Sequence, residues 1–156
     1  MDLPRSNRVL MARIEHDNKY GYINQAGEMT ISPQLIYATD FKEGLAVVAN
    51  EDGNLQYINR HGRVQIRPIF IQADEFSEGL AAIEANDLWG YMGTSGGPIF
   101  PNRYQKAGHF IHGLAPVVEN GEFKYSDVNG NHVITPQKDN DIITQLGDFY
   151  GDLACF

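Results

Sequence analysis

The chain contains little cysteine and no long apolar run. Cys155 is the single cysteine among 156 residues. A lone cysteine cannot form an intramolecular disulfide, so the fold does not depend on an oxidising compartment. No apolar stretch reaches the roughly 18 residues that a membrane-spanning helix needs, and the first residues do not have the pattern of a signal peptide. We therefore expect no membrane span and a cytoplasmic location, although a leader already removed would leave the same pattern.

Positive charge is also scarce. The chain has 12 lysines and arginines against 20 aspartates and glutamates, which gives a formal net charge of -8. Nucleic-acid binding depends on cationic contacts with phosphates, so this excess of negative charge argues against a nucleic-acid partner. The main basic cluster consists of Arg60, His61, Arg63 and Arg67. It is typical of solvated charge around a hairpin turn.

The chain does contain an internal repeat. Four similar aromatic segments recur, namely YGYINQAG from Tyr20, LQYINRHG from Leu55, WGYMGTSG from Trp89 and FKYSDVNG from Phe123. Their central tyrosines, Tyr22, Tyr57, Tyr91 and Tyr125, are 35, 34 and 34 residues apart. A second motif of the type FxEGLA begins at Phe41, Phe76 and Phe110, with a degenerate copy, FYGDLA, at Phe149. Two motifs that recur with one period predict a stack of similar structural units.

Each repeat predicts three short strands joined by defined turns. An Asn, Asp or Gly ends the tyrosine strand and a glycine follows three residues later, which is typical of a type I turn with a bulge. A third strand follows and should end at Pro33, Pro68 or Pro136, because proline lacks the N–H that extends a ladder. Gly44, Gly79 and Gly113 predict positive φ angles in the second motif. The apolar segments after them, such as LAVVA, predict central strands covered on both faces.

The predicted fold is all-β: a tandem array of about four three-stranded repeats of 34–35 residues, in which an open stack is favoured over a closed propeller. Both ends offer the same strand type, LMARI from Leu10 and LACF at the end, whereas a closed propeller needs complementary strands. We assign residues 1–8 to a tail and 9–156 to one domain. Its repeats lie near 10–44, 45–79, 80–113 and 114–152, with a partial last strand at 153–156. Exposed edge strands would allow a homo-oligomer to form.

Equivalent positions of stacked repeats should lie next to one another. The predicted aromatic core consists of Tyr22, Tyr57, Trp89, Tyr91, Tyr125, Phe41, Phe76 and Phe110. Polar residues that flank each core phenylalanine should form a surface stripe of Asp40, Glu43, Glu75, Glu78, His109, His112 and Asp148. We call this set the acidic stripe. It is either a binding face for a basic protein surface or ordinary solubilising charge.

The recurring motifs resemble those of the WG-repeat family of bacterial proteins. Trp89, Gly90 and Tyr91 carry the Trp-Gly pair that names the family, and the YGYI segment from Tyr20 is a near variant. The FSEGLA segment from Phe76 supplies the second motif, and the likeness extends over residues 9 to 156. The resemblance implies an all-β repeat domain that binds other proteins or surface components and has no family active site.

Three short motifs resemble a catalytic site or a metal site, but each has a plainer structural explanation. The segment Gly93 to Gly97 has the G-x-S-x-G pattern of a hydrolase nucleophile, but the repeat places it in a hairpin turn where no helix follows. His109 and His112 have no further ligands at a diagnostic zinc spacing. The DVNGN segment from Asp127 resembles part of a calcium loop, but its glycine comes early and no closing glutamate follows. We therefore expect no catalytic residue, no metal and no cofactor.

The sequence leaves the function open between several classes. The leading hypothesis is a non-enzymatic protein–protein interaction module, one version of which is an acidic inhibitor or immunity-type protein that covers a basic partner. The alternative is a glycan or cell-envelope binding module, in which exposed aromatic rings would stack on sugars. An enzyme ranks third. A five-residue insertion between Pro136 and Phe149 is either a binding loop or simple length drift in a terminal repeat.

Overall fold

The computed structural model describes residues 10–67 and 71–134 together with two short strands near the end of the chain. This part of the chain contains sixteen β-strands and no helix. The strands are β1 (Met11–His16), β2 (Lys19–Asn24), β3 (Met29–Leu35), β4 (Tyr37–Ala38), β5 (Leu45–Ala49), β6 (Leu55–Asn59), β7 (Val64–Ile66), β8 (Gln72–Ala73), β9 (Leu80–Ala85), β10 (Leu88–Gly93), β11 (Lys106–Ala107), β12 (Leu114–Glu119), β13 (Glu122–Asp127), β14 (His132–Ile134), β15 (Phe149–Tyr150) and β16 (Leu153–Ala154). The prediction of an all-β repeat fold is confirmed.

The repeats form small antiparallel sheets, two of them with the predicted three strands and two with a fourth, short strand. In the second repeat the order is β4-β5-β6-β7, so the LAVVA strand β5 lies between the short strand β4 and the tyrosine strand β6. The fourth repeat has the same order, β11-β12-β13-β14. Strands β4 and β11 each pair over two residues, which is too short to leave an alternating pattern in the sequence. The central position predicted for LAVVA is confirmed.

The remaining sheets are variants of this plan. The first has the order β1-β2-β3, the third has the order β8-β9-β10, and β15 pairs with β16. In the third repeat two isolated bridges replace a regular third strand, one between Met92 and Pro98 and one between Trp89 and Tyr104. The two prolines of this segment, Pro98 and Pro101, lack the N–H groups that a regular ladder would use.

The turns follow the predicted chemistry. After β2, the N–H of Gly27 donates to the carbonyl of Asn24 over 3.0 Å, and Gly27 has a φ of 80°. Equivalent bonds join Gly62 to Asn59, Gly96 to Gly93 and Gly130 to Asp127. Each turn is therefore a type I turn that closes on a glycine with positive φ, as predicted.

The FxEGLA motif forms a tight hairpin. Lys42 and Leu45 exchange two backbone hydrogen bonds of 2.9 Å, and Glu43 and Gly44 between them have φ angles of 51° and 86°. Two central residues with positive φ define a type I′ turn, whose twist suits a hairpin. Positive φ was predicted for the glycine. The same conformation at the preceding glutamate was not anticipated, and Glu78 and His112 share it.

Two predictions about strand positions are wrong. Strand β3 does not end at Pro33 but continues to Leu35, because a bulge between the pairs Tyr22–Ile31 and Tyr20–Leu35 takes up the proline. In addition, Met11 and not Leu10 occupies the position of Leu45, since Met11 pairs with Asn24 as Leu45 pairs with Asn59. The β1–β2 hairpin is one residue shorter than the β5–β6 hairpin, which accounts for the shift.

The chain divides into two compact units, Met1–Arg67 and Pro68–Phe156. We call them unit 1 and unit 2. The four repeat tyrosines are at most 1 % exposed, and Phe76 and Phe110 are also buried. Trp89 and Phe41 are half-buried and pack against the cores of unit 2 and unit 1 respectively. The prediction of one continuous domain over 9–156 stays a prediction.

The contacts of the repeat tyrosine recur in both units. Tyr22 donates its hydroxyl to the carbonyl of Thr39 over 2.7 Å, and its ring lies 4.7 Å from that of Phe41. Tyr91 donates to Gly108 over 2.7 Å, and its ring also lies 4.7 Å from Phe110. In each case the tyrosine contacts the segment that leads into the next core strand. Tyr22 and Tyr91 therefore each link one repeat to the start of the next.

Within the described ranges, no helix could cross a bilayer.

Candidate functional site

The acidic stripe is partly used by the protein's own backbone. In unit 2 the carboxylate of Glu78 accepts two hydrogen bonds of 2.7 Å, from the N–H of His112 to Oε1 and from the N–H of Gly113 to Oε2. His112 is the residue of the next repeat that is equivalent to Glu78, so the predicted alignment of these two positions is present. The glutamate binds the following type I′ turn, whose exposed N–H groups suit an anionic acceptor.

Two further contacts join the same pair of turns. The Nε2 atom of His109 lies 2.8 Å from Oδ2 of Asp74, and the hydroxyl of Ser77 donates to the carbonyl of Phe110 over 2.7 Å. Three side chains of one repeat therefore contact the motif of the next. These contacts give two side chains of the acidic stripe, Glu78 and His109, a role within the fold.

The rest of the stripe is placed differently. Asp40 is 65 % exposed, and its Oδ1 atom lies 3.8 Å from Nε of Arg13. Glu43 is exposed at the type I′ turn of unit 1, and Glu75 is half-buried. Asp148 lies outside the described residues, as does the insertion between Pro136 and Phe149.

The Glu78 contact gives a first testable prediction. We expect Glu78→Ala to destabilise unit 2 by about 1 kcal/mol, because two charge-assisted hydrogen bonds are lost at an exposed position. The amide protons of His112 and Gly113 should also exchange faster. Urea unfolding followed through the fluorescence of Trp89, together with amide exchange, measures both effects.

Glu75→Ala is the matched control for this prediction, since its carboxylate makes no hydrogen bond or ion pair within the described ranges. We expect this control to change stability by less than about 0.5 kcal/mol. Equal effects of the two substitutions, with unchanged exchange at His112, would contradict the role assigned to Glu78.

A cleft in unit 1 was not predicted from the sequence. It has a volume of about 520 Å³ and lies between the first and second sheets. Its lining residues are Ile31, Gln34, Leu35, Asn50, Glu51, Asp52, Gln56, Ile58 and Gly62. These residues come from β3, from β6 and from the two turns that flank β6, so positions far apart in the sequence meet only after the sheets pack.

The floor and the rim of the cleft differ in chemistry. Ile31, Leu35 and Ile58 are at most 7 % exposed and form an aliphatic floor. Glu51 and Asp52 are exposed and supply two carboxylates at the rim. The amides of Gln34, Asn50 and Gln56 complete the polar part of the lining. The cleft can therefore hold a group with an apolar stem and a polar or cationic end.

The acidic rim depends on one extra residue in a hairpin. The hairpins β1–β2 and β9–β10 turn on two residues with positive φ, Asp17–Asn18 and Asn86–Asp87. The β5–β6 hairpin instead turns on residues 51–53, closed by a bond of 2.9 Å from the N–H of Gly53 to the carbonyl of Asn50. This extra residue is the source of the 35-residue spacing between Tyr22 and Tyr57, a signal that the sequence contained.

Glu51 holds an internal cation. The Nζ atom of Lys19 lies 2.8 Å from Oε1 of Glu51. The hydrogen bond from Lys19, and then its charge, lower the pKa of the Glu51 carboxyl below its ordinary value. Lys19 therefore favours the ionised form of Glu51, and the rim already contacts one ammonium group.

The motifs that suggested chemistry lie in turns. The N–H of Gly93 donates to the carbonyl of Gly97 over 3.1 Å, so the G-x-S-x-G segment is a hairpin turn, as interpreted. Asp127 accepts bonds from the backbone N–H groups of Asn129 and Asn131, and the side-chain bond from Asn131 contributes most to lowering its pKa. Within the described ranges, no group of three or more His, Cys, Asp or Glu residues could hold a metal.

The basic cluster also surrounds a turn. Backbone N–H groups of His61 and Arg63 donate to the side-chain oxygen of Asn59 over 3.0 and 3.1 Å. The side chains of His61, Arg63 and Arg67 are exposed, and none of the three lines the cleft. These three residues are solvated charge around the β6–β7 turn, whereas Arg60, the fourth member of the cluster, is half-buried.

The fold defines an all-β tandem-repeat protein, in which Tyr22 and Tyr91 each pack against the phenylalanine of the motif that follows. The family model described as WG containing repeat matches residues 20–53, 57–89 and 89–123. The chain belongs to this family, which confirms the resemblance. Each matched segment begins in a strand that holds a repeat tyrosine, namely β2, β6 or β10. The segments therefore recur with the predicted period, but the family model counts each repeat from the tyrosine strand, whereas the predicted repeats begin at the strand before it. No curated protein gives a significant match.

Proposed function

We propose that the chain is a non-enzymatic binding module for a basic segment of a protein partner, and that the unit 1 cleft contacts this segment. The observation that carries the proposal is the chemistry of the cleft, with its aliphatic floor and two carboxylates at its rim. The net charge of -8 would attract a basic partner from a distance. A module that covers a basic functional surface would act as an inhibitor.

The same chemistry disfavours the glycan alternative. Sugar-binding sites commonly present an exposed aromatic ring on which the sugar stacks. The described residues that line the cleft include no aromatic side chain. The four repeat tyrosines are buried, and Trp89 is half-buried against the core of unit 2. The aromatic residues that motivated a glycan site thus stabilise the fold.

Binding of defined probes tests the proposal. We expect a fluorescein-labelled peptide of alternating lysine and glycine to bind at low ionic strength, with affinity falling about tenfold at physiological salt, because exposed charges are then screened. The matched probe with glutamate in place of lysine should not bind. Fluorescence anisotropy measures both affinities, and an unlabelled neutral glucan should not displace the lysine peptide.

Three results would argue against a module for basic segments. One is failure of the lysine peptide to bind at low ionic strength. Another is equal binding of the glutamate peptide, and the third is displacement of the lysine peptide by the glucan. The last result would favour the glycan alternative.

A further inference from the structure

We infer that the unit 1 cleft takes a single long cationic side chain, lysine or arginine, and that Lys19 competes with this side chain for Glu51. The inference rests on the proposed function and adds the group that is recognised and the residue that limits its affinity. It is drawn from the Lys19–Glu51 ion pair, the aliphatic floor and the position of Asp52.

The lining of the cleft selects the occupant. Lysine and arginine are the side chains that combine a long apolar stem with a cationic end, and they bury the stem while the charge stays in water. A stem on Ile31, Leu35 and Ile58 would extend the aliphatic contact, and the charge would lie at the rim. A carboxylate side chain would instead meet Glu51 and Asp52 and be repelled.

Lys19 shows how the rim receives an ammonium group. It extends from β2 of the first sheet to the β5–β6 loop of the second, where Glu51 accepts its hydrogen bond over 2.8 Å. Asp52, the next residue, makes no ion pair within the described part of unit 1. An incoming cation can therefore pair with Asp52 directly, whereas the charge of Glu51 is already offset by Lys19, which weakens the attraction of Glu51 for a second cation.

Removing the ammonium group of Lys19 should increase the affinity of the cleft for a cationic peptide. We expect Lys19→Met to bind the lysine–glycine peptide about three- to fivefold more tightly, the scale of one exposed ion pair. Lys42→Met makes the same change of net charge at the FxEGLA turn, away from the residues that line the cleft. It should change affinity by less than twofold. Equal effects of the two substitutions would show that only net charge matters and would overturn the inference.

Asp52→Asn provides the opposite test. It keeps the shape of the side chain and removes one rim carboxylate, so we expect peptide affinity to fall about fivefold. Glu15→Gln on the edge strand β1 removes one charge outside the cleft and should change affinity by less than twofold. Circular dichroism of each variant checks that the fold is intact.

Chemical-shift mapping locates the site and separates the two proposals. Adding the lysine–glycine peptide to ¹⁵N-labelled protein should move the amide signals of Asn50, Asp52, Gln56 and Gly62. Arginine–glycine and ornithine–glycine peptides then report whether head group and stem length matter. If the peptide moves these cleft signals but binds Lys19→Met no more tightly than the unchanged protein, this inference fails and the proposed function stands. If it does not bind to any variant at low ionic strength, both fail.

Discussion

Tyr91→Ala should destabilise unit 2 by about 4 kcal/mol. Tyr91 is 1 % exposed, and its ring packs edge-on against Phe110, Phe100 and Tyr104. Truncation leaves a cavity that these rigid rings cannot fill, and it removes the hydroxyl bond to Gly108. The single tryptophan of the chain, Trp89, packs against the same cluster, so its fluorescence during urea unfolding reports on this unit directly.

Two further variants divide this effect into its parts. Tyr91→Phe keeps the ring and removes only the hydroxyl, so we expect a loss of about 1 to 2 kcal/mol from the unpaired carbonyl of Gly108. Ile71→Ala truncates a residue of the same unit that is 65 % exposed and should cost less than about 0.5 kcal/mol. Similar losses for Tyr91→Ala and Ile71→Ala would refute the repeat-linking role of the tyrosine.

Gly21→Ala should destabilise unit 1 by about 3 kcal/mol. A Cβ atom at this position would lie 2.5 Å from the carbonyl oxygen of Ile31, 2.8 Å from the nitrogen of Pro33 and 2.9 Å from the carbonyl carbon of Ser32. All three are backbone atoms of the bulged strand β3, so relief requires the strand to move. The glycine of the Tyr-Gly pair is thus explained by close backbone approach. Urea unfolding followed by circular dichroism, with amide exchange of β2, measures the loss.

Gly90→Ala is the matched comparison in the third repeat. There a Cβ atom would overlap Oδ1 of Asn102 and lie 2.8 Å from its Cγ, which are side-chain atoms. Rotation of the Asn102 side chain relieves both contacts at the expense of its 2.9 Å bond to the carbonyl of Leu88, and leaves one backbone contact of 3.1 Å with Cα of Asn102. We expect a loss of about 1 to 2 kcal/mol. A larger loss for Gly90→Ala than for Gly21→Ala would show that the steric argument is wrong.

The turns and central strands could be predicted because they depend on local chemistry repeated four times. Asn24 and Gly27 define a turn by themselves, and the repeated glycine of FxEGLA marks a positive φ wherever it occurs. The errors arose where the packing of neighbouring strands overrode a rule based on a single residue. Pro33 was expected to end a strand, but a bulge next to Gly21 accommodates it. The short strand β4 was missed because two paired residues leave no pattern.

The candidate site was less accessible to sequence reasoning. Glu78 was correctly placed beside its equivalent in the next repeat, yet nothing in the sequence indicated that its carboxylate binds the N–H groups of that turn. The cleft was missed because Gln34 and Gln56 are neighbours only across two packed sheets. The one advance signal was the 35-residue spacing, which the extra residue of the Glu51–Asp52 turn produces.

The sequence by itself determined the repeat, its central strands, its turns and its family, because each follows from short-range spacing and residue conformation. The tertiary structure decided which polar groups stabilise the protein and which face solvent beside an apolar floor. The physical reason is that a carboxylate has the same chemistry in both situations. Only the packing of neighbouring sheets determines whether it meets a backbone N–H, as Glu78 does, or an open cleft, as Asp52 does.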